Sequence, residues 1–540
     1  MSGTASGAEE RDRTPVPDAD VCVVGAGPAG ALAADRLAAD HEVVVLDAGP
    51  RFDPEDRLER QERAIRPAYD RPDVWEMGGP RDAHSASGEW FYPLNHARVK
   101  GVGGSTLHWQ GMVMRLHEAD FDSGTERGVG PDWPVEYADL RPYYAEAERA
   151  FGVSGADDNP FAPPREEPFP NPAFPPSYGD SLFAEACEEL GIATHSVPNA
   201  RNSEPYDGRG ECVGYGTCQP VCPSGAKYDA TVHVESAEAA GATVVDRARV
   251  TELVHGPDRV EAAVYVAPDG TEHRQRADAF VLAAGGVEIP RLLLLSASDH
   301  YPDGLANSSG AVGRYFMDHL FAGVGGVLEE PTRQNHVGFI TTESHQFYDE
   351  ADETVGPFKL EFLNYAGPSP VELAMTGDDW GDELLGRLRE SYGGHVAVGA
   401  LVEQLPREDS YVGLDDGRTD DLGNPVPDVH WTVGDRALRT IERANEVQRG
   451  VLEELGAEVT WTAGPDSTGP AYHHMGTTRM GEDPTESVVD PTLCTHDLEN
   501  CWIASSSVFP TGGAVNPTLT IAALSLRAAD AVDGALSRSI

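Results

Sequence analysis

The chain has 540 residues, 40% of them apolar and 8% aromatic. That is enough to build a substantial core, so wholesale disorder is excluded. Ninety acidic residues against 40 basic ones give a formal net charge of −50, and so acidic a surface repels phosphate backbones and anionic lipid heads, which argues against nucleic-acid binding.

The length suits about three domains or one large two-lobed enzyme. The acidic excess runs through the whole chain rather than forming one tail. Only three basic residues are lysines: Lys100, Lys227 and Lys359. This composition predicts adaptation to a very salty cytoplasm, where molar salt shrinks the Debye length to about 3 Å and screens self-repulsion. An ordinary acidic enzyme is the plain alternative. No stretch reaches the roughly 18 apolar residues of a membrane helix, so no direct membrane span is expected. Met1–Ala19 is polar and acidic, with no hydrophobic segment of the secretory kind. The expectation is a cytoplasmic protein, unless a partner subunit carries it to the membrane or across it.

Residues 1–17 read as a disordered lead-in. Val21–Val24 is a short apolar strand. Gly25-Ala26-Gly27-Pro28-Ala29-Gly30 follows, then an Ala/Leu-rich helix to about Ala39, then a strand Val43–Leu46 ending at Asp47. This is a βαβ unit with strands of the kind buried in parallel sheets. Gly25 makes the tight turn, Gly27 admits a pyrophosphate to the backbone, and Gly30 lets helix and strand pack closely. The helix N-terminus attracts the phosphate charge, and Asp47 stands where a carboxylate receives ribose hydroxyls. The pattern alone does not separate FAD from NAD. A second glycine turn, Gly103-Gly104-Ser105-Thr106-Leu107-His108-Trp109, offers backbone N–H groups to another anion or a flavin ring, or is a plain surface turn.

Eight prolines between Asn159 and Tyr178 predict an irregular surface excursion. Cys212, Cys218 and Cys222 then fall within eleven residues, with Pro223 behind them. Clustered thiolates with proline after the last are similar to ferredoxin-type loops, and three ligands point to a three-iron four-sulfur cluster. Zinc with His233 or Asp229 as fourth ligand, or plain thiols or a disulfide, are the alternatives. Cys22, Cys187, Cys494 and Cys501 read as incidental thiols. Strands are expected at 243–245, 260–266 and 279–282, then Ala283-Ala284-Gly285-Gly286 with a helix starting near Pro290. An amphipathic helix is predicted over Asp435–Leu455, stopped by Gly456. Near the end, His473-His474 precedes Asn516-Pro517-Thr518 by 43 residues. Histidine is the side chain most easily poised as a general base, and asparagine holds an oxygen without titrating. Two structural histidines are the bland alternative.

Together these pieces resemble the glucose–methanol–choline (GMC) family of FAD oxidoreductases over nearly the whole chain. The matching elements are Gly25–Gly30 with Asp47, Gly103–Trp109, Val281–Leu293, Gly313-Arg314-Tyr315-Phe316-Met317-Asp318-His319, Tyr472–Thr477 and Phe509–Thr520. The resemblance resolves FAD against NAD. The cysteine loop looks like that of the bacterial subgroup containing FAD-dependent glucose, fructose and gluconate dehydrogenases, where the cysteines carry a three-iron four-sulfur cluster that passes electrons to a cytochrome subunit.

The resemblance implies an α/β protein: a Rossmann-like FAD-binding lobe plus an α+β substrate lobe with a mostly antiparallel sheet. The FAD lobe is expected from 18–150, 225–310 and 466–540, the substrate lobe from 311–465, and the excursion with the iron–sulfur loop at 151–224. Gly25, Gly27, Gly30, Asp47, Gly103, Gly104, Ser105, His108, Ala284, Gly285, Asn516, Pro517 and Thr518 are then the cofactor contacts. His473 is the general base and Asn516 binds the substrate oxygen, while His474 stands where many members have proline and shares the pocket. In some members, including choline and pyranose oxidases, a histidine at the place of His108 is bonded to the flavin 8α-methyl; a pocket-lining histidine without a bond is the alternative. The implied activity is oxidation of a CH–OH group of a sugar, sugar acid, polyol or alcohol, with a cytochrome or other acceptor subunit as partner. An oxygen-reducing oxidase and a non-catalytic flavin/iron–sulfur electron carrier are the competing readings.

Overall fold

The computed structural model describes residues 16–66, 71–332 and 338–539. The expectation for the lead-in therefore lies, up to residue 15, outside the described residues.

The first sheet grows from the βαβ unit. Ala19–Val24 pairs in parallel with Val43–Leu46, which pairs in parallel with Thr243–Val245. On its other side Ala19–Val24 pairs in parallel with the long strand Glu272–Leu282. The second half of that strand also carries Cys501–Ile503 in parallel, and its first half carries the antiparallel Val260–Val266 and then Arg249–His255. Val21, Val23, Val281, Leu282 and Ile503 are all fully buried. Continuous apolar runs are what a parallel sheet covered on both faces demands. The helix Pro28–Leu37 packs against the C-terminal helix Thr518–Ser539 and against Thr231–Ala240, so the two chain ends meet over the same sheet.

The second sheet is antiparallel, in the order Glu458–Ala463, Leu320–Val327, His395–Val402, Phe358–Phe362, Thr342–Ser344 and His195–Ser196, with Gly469–Pro470 also on Leu320–Val327. It thus draws one strand from the excursion and one from beyond residue 465. The helix Asp435–Glu454 lies against it, burying Ile441, Ala444, Val451 and Leu452, and Gly456 follows at φ +73°. The proline-rich stretch contributes only Asn171–Pro172, paired with Ser154–Gly155. The cysteine loop 212–222 has neither helix nor strand.

One helix start differs from expectation. The helix expected to start near Pro290 runs over Gly285–Leu295, with the proline inside it. Proline cannot donate to the carbonyl four residues back. That carbonyl, of Gly286, instead accepts from the Thr477 hydroxyl at 2.7 Å. A tertiary hydrogen bond from the histidine-bearing segment replaces the lost helical one, which local sequence reading does not reveal.

Candidate active site

A cavity of about 590 Å³ is lined from both sheets: Val24, Leu46 and Ala283 on one side, Phe321, Glu361 and Leu401 on the other. Its floor is the glycine turn. Gly25 has φ +104°, open to glycine at little cost, and a methyl on Gly30 would overlap the Gly25 carbonyl oxygen. The second turn meets the first, since a methyl on Gly104 would lie 2.7 Å from the Gly27 Cα. Asp47 accepts from the Ala26 N–H at 2.8 Å and the Gly49 N–H at 2.9 Å, so its carboxylate holds the turn as well as lining the cavity. Gly27, Gly104, Ser105, His108, Ala284, Gly285, Asn516, Pro517 and Thr518 line the same cavity; Gly30 and Gly103 stand behind it, packing the turns. A methyl added at Gly285 would meet no protein atom within 4 Å. Glycine backbone, a helix N-terminus at Gly27–Pro28 and a carboxylate at the strand end form a donor and acceptor set that fits a dinucleotide.

His473 and Asn516 stand together at this cavity, the His473 Nε2 3.4 Å from the Asn516 Nδ2. A neighbour that sequence reading left without a role sets the chemistry. His319 Nε2 lies 2.9 Å from the Gly513 carbonyl oxygen and 3.2 Å from that of Gly512. Carbonyls only accept, so Nε2 carries the proton. Burial pushes the His319 imidazole down to about 4, so the ring is neutral and its Nδ1 is bare. The His473 Nδ1 lies 2.8 Å away and must therefore donate. That leaves His473 Nε2 as the bare nitrogen, facing the Asn516 amide, which donates. Asn516 Oδ1 and His474 Nε2 are buried without a hydrogen-bond partner among the described residues.

Asp318 fixes the backbone here. Its Oδ1 accepts from the His473 N–H at 2.7 Å, its Oδ2 from the Tyr472 N–H at 2.9 Å and from the Tyr92 hydroxyl. Tyr472 sits at φ +70°, a strained value for a tyrosine. The carboxylate holds this turn and so aims His473. Burial raises the Asp318 carboxyl to about 7. His474 is packed against Tyr92 and Phe316, and burial lowers its imidazole to about 3. Burial, then the nearby His319 and Lys359, hold His473 well below its ordinary 6.5.

The cysteine loop adjoins the cavity: Gln219, next to Cys218, lines it, as does Trp109. Lys227 is buried beneath the loop, donating from Nζ to the carbonyls of Trp109 at 2.6 Å and Cys218 at 2.8 Å. Its peptide N–H points at the Cys222 sulfur at 3.5 Å. Burial alone would raise the Cys222 thiol, but this N–H and the Lys227 charge outweigh it and bring it below 9.0. Of the three cysteines, Cys222 meets the Lys227 N–H and Cys218 the Lys227 ammonium through its carbonyl, whereas burial raises the Cys212 thiol. The zinc alternative finds no support in the geometry. Among the described residues, no group of three ligand atoms within 4.8 Å includes these cysteines. His233 bonds the Tyr228 hydroxyl at 3.0 Å, and Asp229 is paired with Arg57 at 2.8 Å.

Fold and site together define a two-lobed dinucleotide-binding protein with a histidine–asparagine pair at its cavity. The GMC oxidoreductase profiles match residues 94–321 and 406–525. The chain is 35% identical to the fructose dehydrogenase large subunit of Gluconobacter japonicus, over 95% of this chain and 97% of that one. It is 34% identical to the 2-methyl-1,2-propanediol dehydrogenase of Mycolicibacterium austroafricanum, over 95% and 94%. A formate oxidase variant from Aspergillus oryzae shares the fold, with a TM-score of 0.68 at 17% identity over 97% of this chain and 99% of that one. The chain belongs to the GMC oxidoreductase family. It is an FAD-dependent enzyme acting on CH–OH groups.

Proposed function

We propose that the protein is a dehydrogenase of a sugar, sugar acid or polyol that discharges its electrons to a partner subunit. The observation that carries this reading is one cavity lined both by His473 and by Gln219 of the cysteine loop, so donor site and electron outlet adjoin. The relatives named above, a fructose dehydrogenase large subunit and a diol dehydrogenase, support the substrate class.

FAD, held by the glycine turns, Asp47 and the Gly285 region, supplies a hydride acceptor when bound. Asn516 donates to the substrate hydroxyl oxygen, and that hydroxyl donates to His473 Nε2. His473 takes the proton as the carbon loses its hydride. A base held so far below 6.5 releases the proton readily afterwards. Cys212, Cys218 and Cys222 would hold a three-iron four-sulfur cluster, which supplies a one-electron outlet when bound. The acidic surface and near absence of exposed lysine fit a salty cytoplasm, with any membrane association through the partner.

Anaerobic mixing with a panel of sugars, sugar acids, polyols and alcohols tests the proposal. Bleaching of the flavin by a sugar or polyol, slow reoxidation by oxygen and about three irons per chain are expected. Fast reoxidation by oxygen would make it an oxidase. Reduction only by a partner protein would make it an electron carrier.

A further inference from the structure

Beside the flavin cavity, which Glu361 also lines, the second sheet buries a set of chemistry-bearing residues on one face. His195 and Glu343 are directly opposed on neighbouring antiparallel strands, and Glu343 is opposed on its other side by Glu361. His345 follows Glu343 by two positions and Lys359 precedes Glu361 by two, the spacing that returns a side chain to the same face. A ring nitrogen of His195, a ring nitrogen of His345 and a carboxylate oxygen of Glu343 lie within 4.8 Å of one another. The three residues are at most 4% exposed.

The hydrogen bonds around this group decide which of its atoms are bare. His195 Nδ1 lies 3.0 Å from the Ser196 carbonyl oxygen, which can only accept, so the ring proton sits there. His195 Nε2 is then a buried lone pair with no hydrogen-bond partner among the described residues. Glu343 Oε1 lies 3.1 Å from His345 Nε2, and its Oε2 accepts from Lys359 Nζ at 2.9 Å. Lys359 also donates to Glu361 at 3.1 Å, so one ammonium is shared by two carboxylates and one negative charge is left over. His345 Nδ1 lies 3.0 Å from His117 Nε2 and 3.3 Å from Asn159 Nδ2, an amide nitrogen that only donates, so in the ion-free protein Nδ1 accepts and Nε2 donates to Glu343. Each inner group therefore has an outer partner: a carbonyl for His195, a lysine for Glu343, a second imidazole for His345. That is the pattern that orients metal ligands. A bare nitrogen beside a carboxylate oxygen is otherwise an unfavourable arrangement in a buried place.

We propose that His195, Glu343 and His345 bind one divalent transition-metal ion of the zinc class. Two imidazoles and a carboxylate are a donor set that zinc accepts, with a fourth position for water. A cavity of about 40 Å³, lined by His117, Asn159, Ser196 and His345, adjoins the group and has room for that water. On binding, the His345 proton moves from Nε2 to Nδ1, toward His117, and the Asn159 amide turns its oxygen to that proton. The ion fastens the two-residue strand from the excursion to the edge of the substrate-side sheet.

Cobalt(II), a visible stand-in for zinc, tests this on the chelator-treated, desalted flavoprotein. One equivalent should bind with weak visible bands, no intense sulfur-to-cobalt charge transfer, and displacement by zinc. Loss of an outer partner typically costs about 10–100-fold in metal affinity, so His195→Ala should cost at least about 100-fold, with the flavin spectrum kept. Absence of stoichiometric binding, undiminished binding in His195→Ala, or sulfur charge transfer overturns the proposal. If His195→Ala does not fold, X-ray absorption of the zinc-loaded parent decides. Imidazole and oxygen ligands alone support the site, and sulfur, or no imidazole, overturns it.

Discussion

The Nδ1 of His473 lies 2.8 Å from the Nδ1 of His319, and the polarity of one ring dictates that of the other. His319 spends its proton on the Gly512 and Gly513 carbonyls, so His473 must donate and present a bare Nε2 to the cavity. His319→Ala removes that constraint. Leaving a buried donor unpaired costs about 1–3 kcal/mol, so flavin reduction should slow about 10- to 100-fold. His319→Gln keeps a carbonyl for His473 and an amide for the glycine carbonyls, and should recover much of the rate. Equal loss in both variants would show that His319 serves packing alone.

The adjacent imidazoles should separate sharply. General-base catalysis contributes about 10²–10⁴ in rate, so His473→Ala should lower anaerobic flavin reduction by that much with FAD still bound. His474 bonds no neighbouring ring and packs on Tyr92. His474→Ala should stay within about 10-fold, with its effect in KM. The reverse pattern of losses would move the base to His474.

Much of this was legible because it is local. The glycine turn, Asp47 and the amphipathic helix at 435–454 follow from spacing, since each is decided within a few residues of chain. His319 and Asp318 were visible only as part of a family motif. Their roles depend on residues more than 150 positions away, and no periodicity encodes that. The scarcity of lysine was legible only as a sign of habitat. Lys227 and Lys359 are buried, Lys227 in carbonyl contacts and Lys359 between two carboxylates. A chain that avoids lysine on its surface keeps these two inside. The sheet face of His195, Glu343 and His345 was equally hidden, because the strand register joins segments almost 150 residues apart.

The pH profile should carry the mark of burial. His473 is held well below 6.5, and a depressed imidazole stays neutral, hence competent as a base, to lower pH. The acid limb of flavin reduction should therefore fall clearly below 6.5. Burial raises the Asp318 carboxyl to about 7, so an inflection near neutrality that disappears in Asp318→Asn belongs to that carboxyl. An acid limb centred on 6.5 that vanishes in His473→Ala would show an unperturbed imidazole instead.

Salt should stabilise the protein strongly. A net charge of −50 repels itself across about 10 Å at 0.1 M salt but only about 3 Å at 1 M. Relief of about 2 kcal/mol corresponds to only about 2 °C in melting temperature for a chain of 540 residues. Melting curves from dilute buffer to molar potassium chloride should rise by at least that much. A melting temperature indifferent to salt would reduce the composition to ordinary acidity.

His108 is placed to carry the flavin covalently. It is buried at the end of the turn Gly104–Leu107, lining the cavity whose floor holds Gly27 and Asp47. Its place relative to Gly103 is that of the flavin-bonded histidine in some GMC members. A covalent bond would prevent cofactor loss under conditions that weaken charge-assisted phosphate contacts, and molar salt is such a condition. Acid precipitation of the purified protein should leave the yellow colour in the pellet. After proteolysis, the peptide containing His108 should carry the FAD mass. His108→Ala should release its flavin to the supernatant while still binding it at neutral pH, because the glycine turns and Asp47 are untouched. If the wild-type pellet is colourless, His108 lines the pocket without a bond, and tight binding in salt rests on the dinucleotide contacts alone.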